Sequence, residues 1–148
     1  MLSNEDKTLV VGVGNPLRSD DGVGFYVASV LEERHIPDVQ TLVVQQLNLE
    51  VIEYFLNFDR IIIVDANCSK CDIEFKKLNA ETCIMTSSHH VTPILLTSLA
   101  KTVYDKTLNV YLCLLKAENF EVGEGLSSSA KTIADQAINI LTDFLKKK

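Results

Sequence analysis

No segment of these 148 residues approaches the ~20 consecutive apolar residues that a membrane-crossing helix needs. A basic surplus is also lacking, because 14 lysines and arginines face 20 aspartates and glutamates, for a net charge of −6. That balance argues against nucleic acid and against an anionic membrane surface as partners. The start, Met1 to Lys7, has neither the basic opening nor the long apolar core of a secretory signal. Four cysteines without such a signal make the reducing cytoplasm the expected location. Two familiar hydrolase signatures are missing as well: no serine sits in a G-x-S-x-G elbow, and no H-E-x-x-H zinc helix occurs. There are no internal repeats, linkers or low-complexity tracts, so residues 1–148 are expected to form one domain.

What is present alternates strand and helix. Hydrophobic residues make up 47% and charged residues 23%, an ordinary globular balance. Strand-like runs cover Thr8 to Gly12, Val39 to Val44, Arg60 to Ala66, Ile73 to Leu78 and Leu108 to Leu115. Ile61-Ile-Ile-Val64 is uninterrupted, as a strand covered on both faces requires. Lys76 and Lys77 place the fourth run at a sheet edge. Helical spacing marks Val23 to Glu33, a short piece around Glu50 to Leu56, and a stretch opened by Thr92-Pro93 that should bury Leu95, Leu96, Leu99 and Val103. A last amphipathic helix follows Ser127 to Ser129, with Ile133, Ala134, Ala137, Ile138, Leu141, Phe144 and Leu145 on one face. The predicted architecture is a three-layer α/β domain with a largely parallel twisted sheet of about five strands and helices on both faces.

In such a sheet, ligands gather outside the carboxyl ends of the strands. Gly12-Val-Gly-Asn-Pro-Leu-Arg-Ser-Asp-Asp-Gly-Val-Gly24 forms the first strand-loop-helix corner there. A dinucleotide corner would carry a third glycine where Leu17 stands, and Asp20 and Asp21 would repel phosphate. Two carboxylates at this entrance suit a cation or a base. Asp65 ends the central strand, and Ser87-Ser-His-His90 precedes the Thr92 helix, so all three polar clusters fall at one sheet edge. Together they offer the mixed oxygen and nitrogen donors that suit borderline divalent ions such as nickel or zinc. Each has an ordinary alternative: either aspartate as a helix N-cap, Asp65 as a strand terminator, the histidines as a solvated pair. Their coincidence carries the argument.

Gly14-Asn-Pro-Leu-Arg-Ser-Asp-Asp-Gly-Val-Gly24 resembles the opening signature of the [NiFe] hydrogenase maturation proteases. Ile63-Val-Asp-Ala66, Ser87-Ser-His-His-Val91 and Glu118-Asn-Phe-Glu-Val-Gly-Glu-Gly-Leu-Ser127 follow in the family's order. The resemblance implies an endopeptidase that removes the C-terminal extension of a hydrogenase large-subunit precursor after nickel insertion. By position it implies Asp21, Asp65 and His89 as the metal-recognising and catalytic set; a register one residue later would select His90. It implies a nickel ion carried by the precursor, with no tightly bound metal in the isolated protein, and a monomer as the working form. Nickel could then polarise a carbonyl or acidify a water, with a carboxylate as base.

Other readings compete. They are a nickel-binding carrier without turnover, another metal-assisted peptidase or amidase on the same scaffold, and a dinucleotide-binding module supported only by Gly12-Val-Gly14. Cys68-Ser-Lys-Cys71 could be redox-active or half of a zinc site, but Cys83 and Cys113 supply no second close pair, and a loop that happens to hold two thiols explains it. Gln45-Gln46, after the second strand, lies near the proposed edge and could touch substrate, with a solvated loop as the favoured reading. Glu118 is not assigned a catalytic role, since Ala117 stands where relatives often carry proline. Gly123-Glu-Gly125 reads as a left-handed turn into the last helix.

Overall fold

Every residue from Thr8 to Val13 is buried, and so are Ile61 to Val64, which is why these two runs form the middle of the sheet. The computed structural model describes residues 7–68, 70–78 and 91–147. Its strands are β1 (Thr8–Val13), β2 (Val39–Val44), β3 (Arg60–Asn67), β4 (Ile73–Lys77) and β5 (Asn109–Lys116). Its helices are α1 (Val23–Glu33), α2 (Val51–Phe55), α3 (Pro93–Tyr104) and α4 (Ser128–Lys146). The five strands lie in the order β2-β1-β3-β5-β4. The first four are parallel, and β4 closes one edge antiparallel to β5 with Lys76 and Lys77 exposed. The strand order thus reverses beside β1, where an open α/β sheet has its crevice.

Alternation along the strands feeds two apolar layers. Val10, Ile62, Val64, Cys113 and Leu115 pack with α1 and α4 on one face. Leu9, Val11, Ile61, Ile63, Val110 and Leu112 pack with α2 and α3 on the other. The three-layer expectation therefore holds. Among the described residues, no helix is long and apolar enough to cross a membrane.

Both long C-terminal helices start as their sequences direct. Thr92 Oγ1 accepts from Leu95 N at 3.0 Å with Pro93 at the first helical position, and Ser127 Oγ accepts from Ala130 N at 3.2 Å. One expectation fails in α3. Its buried line is Leu96 and Ala100, while Leu95 and Val103 are 41% and 64% exposed. Leu95 is turned by about 100° from Leu96 around the helix. Val103 belongs to the last turn, after the buried line ends at Ala100, where the chain reverses through Asp105 (φ 53°) and Lys106 N bonds back to Ala100 O.

Two glycines let α1 descend onto the sheet. A Cβ on Gly24 would stand 2.6 Å from Val64 O and 2.7 Å from Val13 O, and one on Gly12 would stand 2.3 Å from Gly24 O. The first turn of α1 therefore touches the backbone of β1 and β3 directly, and this contact fixes the preceding loop above the carboxyl ends of those strands.

Candidate active site

At those carboxyl ends lies a cleft of about 490 Å³. Asp21 reaches it from the 3-10 turn Ser19–Gly22 that precedes α1, and Asp65 from the end of β3. Gly14, Gln45, Gln46 and Thr92 complete its polar wall, with Ile63, Leu112 and Leu114 beneath. The strand pairing explains the meeting. Gly12 pairs with Val64, so the residues just beyond each, in β1's loop and at Asp65, share one edge.

The consecutive aspartates of the corner divide their work. Asp20 has no exposed surface and turns away from the cleft. Its carboxylate accepts from Ser127 N at 2.8 Å, Ser127 Oγ at 2.9 Å and Asn119 N at 3.2 Å, with Glu118 N at 3.4 Å as a longer contact. Its own N–H donates to Asn119 O at 2.9 Å. Burial pushes its acidity in the unfavourable direction, but the donors from Ser127, Asn119 and Glu118 outweigh that and hold the carboxyl below its usual range. Asp20 thus latches the loop after β1 to the loop after β5 and to the start of α4. Asp21 instead accepts from Asn15 N at 2.8 Å, and Asn15 Oδ1 caps Leu17 N at 2.9 Å. Gly14, at φ 142°, permits this loop: a Cβ there would fall 2.0 Å from Asp21 O. Neither aspartate caps α1, whose N-cap is Gly22 without a side-chain bond.

Asp65 is the least satisfied of these acids. Its Oδ1 accepts from Ala66 N at 2.7 Å, the next residue's own amide. Burial pushes its pKa up to about 7, the Ala66 bond opposes this, and the Asp21 charge adds to the rise. A carboxyl that titrates near neutrality beside a second carboxylate is the electrostatic pattern of an acid–base or cation-binding site. A cation here would relieve the repulsion between the two.

Among the described residues no group of three or more histidine, cysteine, aspartate and glutamate side chains is placed to hold a metal. His89 and its alternative His90 lie outside the described residues; the description resumes at Val91, which lines the cleft. Gln45 and Gln46 line the cleft, so of the two readings their sequence position allowed, the less favoured one holds. The available signal was their position directly after β2, at the same carboxyl edge. Glu118 is exposed and pairs with Lys116 at 3.8 Å. Cys68 and Cys71 are exposed beyond β3, whereas Cys113 is buried in the core. Gly125 adopts φ 95°, so the left-handed turn before α4 is present.

No family model matches the chain. A 66-residue stretch is 39% identical to the hydrogenase 2 maturation protease of Escherichia coli (strain K12), covering 43% of this chain and 40% of that protein's length. The fold has close counterparts among solved structures. The [NiFe] hydrogenase maturation protease HycI from Thermococcus kodakarensis KOD1 superposes with a TM-score of 0.78 at 23% identity, covering 98% of this chain and 96% of its own. The hydrogenase maturating endopeptidase HybD from E. coli gives 0.76 at 21% identity over 95% and 92%. The fold is therefore that of the hydrogenase maturation proteases, and a partial sequence match points the same way.

Proposed function

We propose that the chain is an endopeptidase that removes a C-terminal extension from the nickel-loaded precursor of a [NiFe] hydrogenase large subunit. The observation that carries the reading is the pairing of Asp21 and Asp65 in one open cleft at the carboxyl edge of the sheet. The hydrogenase maturation proteases that the chain is similar to supply the substrate class. The nickel arrives with the substrate. In this reading Asp21, Asp65 and His89 approach it, and the contact places the scissile peptide in the cleft.

The division of labour follows from wiring. Asp21 is oriented by the Asn15 amide, which leaves its second oxygen for the substrate's cation. Asp65, with a pKa of about 7, is poised to take a proton from an attacking water at cytoplasmic pH and to return it to the leaving amine. The cation, when present, stabilises charge developing on the carbonyl oxygen. Gln45 and Gln46 on the facing wall offer amide donors and acceptors to an extended tail.

The test is the intact mass of purified, nickel-loaded precursor after incubation with the protein. Loss of one C-terminal peptide is expected, and neither nickel-free precursor nor Asp21→Ala protein should yield it. Cleavage that ignored nickel would replace this reading with a general metal-assisted peptidase. Tight nickel binding by the protein alone, with no cleavage, would replace it with a carrier.

A further inference from the structure

The loop after β1 is a wall with two sides. Gly14 and Asp21 face the acidic cleft, while Pro16, Ser19 and Gly22 face a second depression of about 370 Å³. That depression is mainly apolar, with Phe25, Tyr26, Leu126 and Lys131 as its larger side chains. On the crest between them the loop is bonded to the loop after β5. Ser19 N donates to Gly123 O at 2.8 Å, Gly123 N to Leu17 O at 2.8 Å, and Ser19 Oγ to Glu121 O at 2.8 Å. Arg18 Nε adds a bond to Phe120 O at 3.2 Å.

This tied backbone presents Leu17 at 55% exposure and Val122 at 91%. A single exposed aliphatic residue needs no explanation. Here two flank a bridge between Arg18 and Gly123; Leu17 follows Pro16, which lines the apolar depression, and Val122 lies on the loop that leads to its Gly125 and Leu126. The fold gains nothing from their exposure. Around them, Glu118, Glu121 and Glu124 are exposed on the same loop. Of the nearby cations, Lys116 pairs with Glu118, Lys131 pairs with Asp135, and Arg18 keeps its charge while donating to the Phe120 carbonyl, so four acids face three cations and the rim is acidic by one charge.

We propose that the Leu17–Val122 crest and the depression behind it dock the folded body of the precursor, through an apolar patch rimmed by lysine and arginine. The inference rests on the proposed function for the partner's identity. Charge complementarity selects this occupant over a second copy of the chain: at net charge −6, a copy would set acid against the acidic rim. An apolar centre with a charged rim is the usual anatomy of a specific protein interface. A need for such a surface follows from the cleft, whose 490 Å³ holds only a few residues of tail. A stable, specific complex buries roughly 1,200–2,000 Å², so most of the contact must lie outside the cleft.

Binding of nickel-loaded precursor to the full-length protein, measured by biolayer interferometry at low and high salt, tests the proposal. Leu17→Ser with Val122→Ser should weaken the wild-type Kd by about tenfold, with a melting temperature within about 2 °C of wild type. Glu121→Lys with Glu124→Lys should weaken binding and remove the loss of affinity that salt causes in the wild type. An unchanged Kd in the apolar variant would overturn the proposal. So would a wild-type dimer in light scattering that this variant disperses, since the crest would then serve self-association. The mass assay is separate: precursor that binds through the crest yet keeps its mass would remove the protease reading and leave the docking surface standing.

Discussion

Asp20 and Asp65 are the same residue type, both placed by the edge of one sheet, and their surroundings treat them in opposite ways. Asp20, without exposed surface, is met by backbone amides of Ser127 and Asn119 and by the Ser127 hydroxyl, and its acidity is enhanced. Asp65 is met by one amide, its neighbour's, and by the charge of Asp21, and its pKa rises to about 7. Burial alone therefore does not decide a carboxyl's state; the supply of donors does. A fold that satisfies one carboxylate so fully one residue from its cleft leaves the other two with a single amide donor each among the described residues, as a site reserved for an incoming cation or proton would be. The contrast separates an acid that holds the protein together from the acids that the proposed reaction uses.

The sharpest way to break that contrast is to delete one acid from each class. Asp21→Ala or Asp65→Asn should lower precursor processing by at least ~100-fold, the scale of losing a general base or a cation contact. Asp65→Asn should not lower the melting temperature, and Asp21→Ala should lower it by less than Asp20→Ala, because it strands only the Asn15 amide. Asp20→Ala should do the reverse in emphasis. It strands the Ser127 and Asn119 donors, at a cost of roughly 3 kcal/mol, or about 10 °C in a chain of this size. Calorimetry of the three variants decides the matter: a stable Asp20→Ala protein would refute the latch.

pH sharpens the comparison through opposite signs. Asp65 has its folded pKa raised from 3.8 to about 7, so the fold holds its proton more tightly than the unfolded chain does. Its contribution favours folding below 3.8 and is lost as pH rises through about 7. Asp20, with its folded pKa lowered, stabilises above 3.8 and loses that contribution as pH falls below it. Asp65→Asn should therefore flatten the decline in stability between about pH 4 and pH 7, and Asp20→Ala should flatten the acid limb. Processing that needs ionised Asp65 should rise with pH through about 7. A kcat/KM profile flat from pH 6 to 8, measured with precursor well below KM so that it reports the free protein, would remove Asp65 from the proton-transfer step.

The sheet was readable from sequence because its signals are local. The β-branched run Ile61 to Val64, the lysines of β4 and the Thr92-Pro93 cap each act within a few residues, and each element lies within about two residues of its expected bounds. The meeting of Asp21 with Asp65 followed from topology, since the loop after β1 and the end of β3 lie at the carboxyl edge of neighbouring parallel strands. Roles that depend on remote partners were not readable. The donors that satisfy Asp20 lie 99 and 107 residues away, so nothing near Asp20-Asp21 says which carboxylate is latched and which is presented. Position put Gln45 and Gln46 near the edge, but their polarity fits a solvated loop equally well, and the closing of β2 against β1 makes them a cleft wall. Leu95 and Val103 fit the helical period, yet the helix spends its apolar surface on Leu96 and Ala100.

The cysteines repeat the comparison at its smallest expected effect. Cys113 sits on β5 with no exposed surface, and burial pushes its thiol up to about 12, so it is held as a neutral apolar side chain. Cys68 and Cys71 are exposed beyond the end of β3, a few residues past Asp65. A thiol reagent added to native protein should label Cys68 and Cys71 and spare Cys113 until the chain unfolds, which peptide mass mapping will read. Proximity to Asp65 alone does not recruit them, because β3 has already delivered that carboxylate to the cleft and the thiols follow outside its walls. Cys68→Ser with Cys71→Ser should accordingly leave processing within about twofold and stability within ~0.5 kcal/mol, as for other surface changes. A larger loss of processing, or protection from the reagent by added zinc, would mean that the thiols belong to the site and that the boundary between presented and structural groups extends past β3.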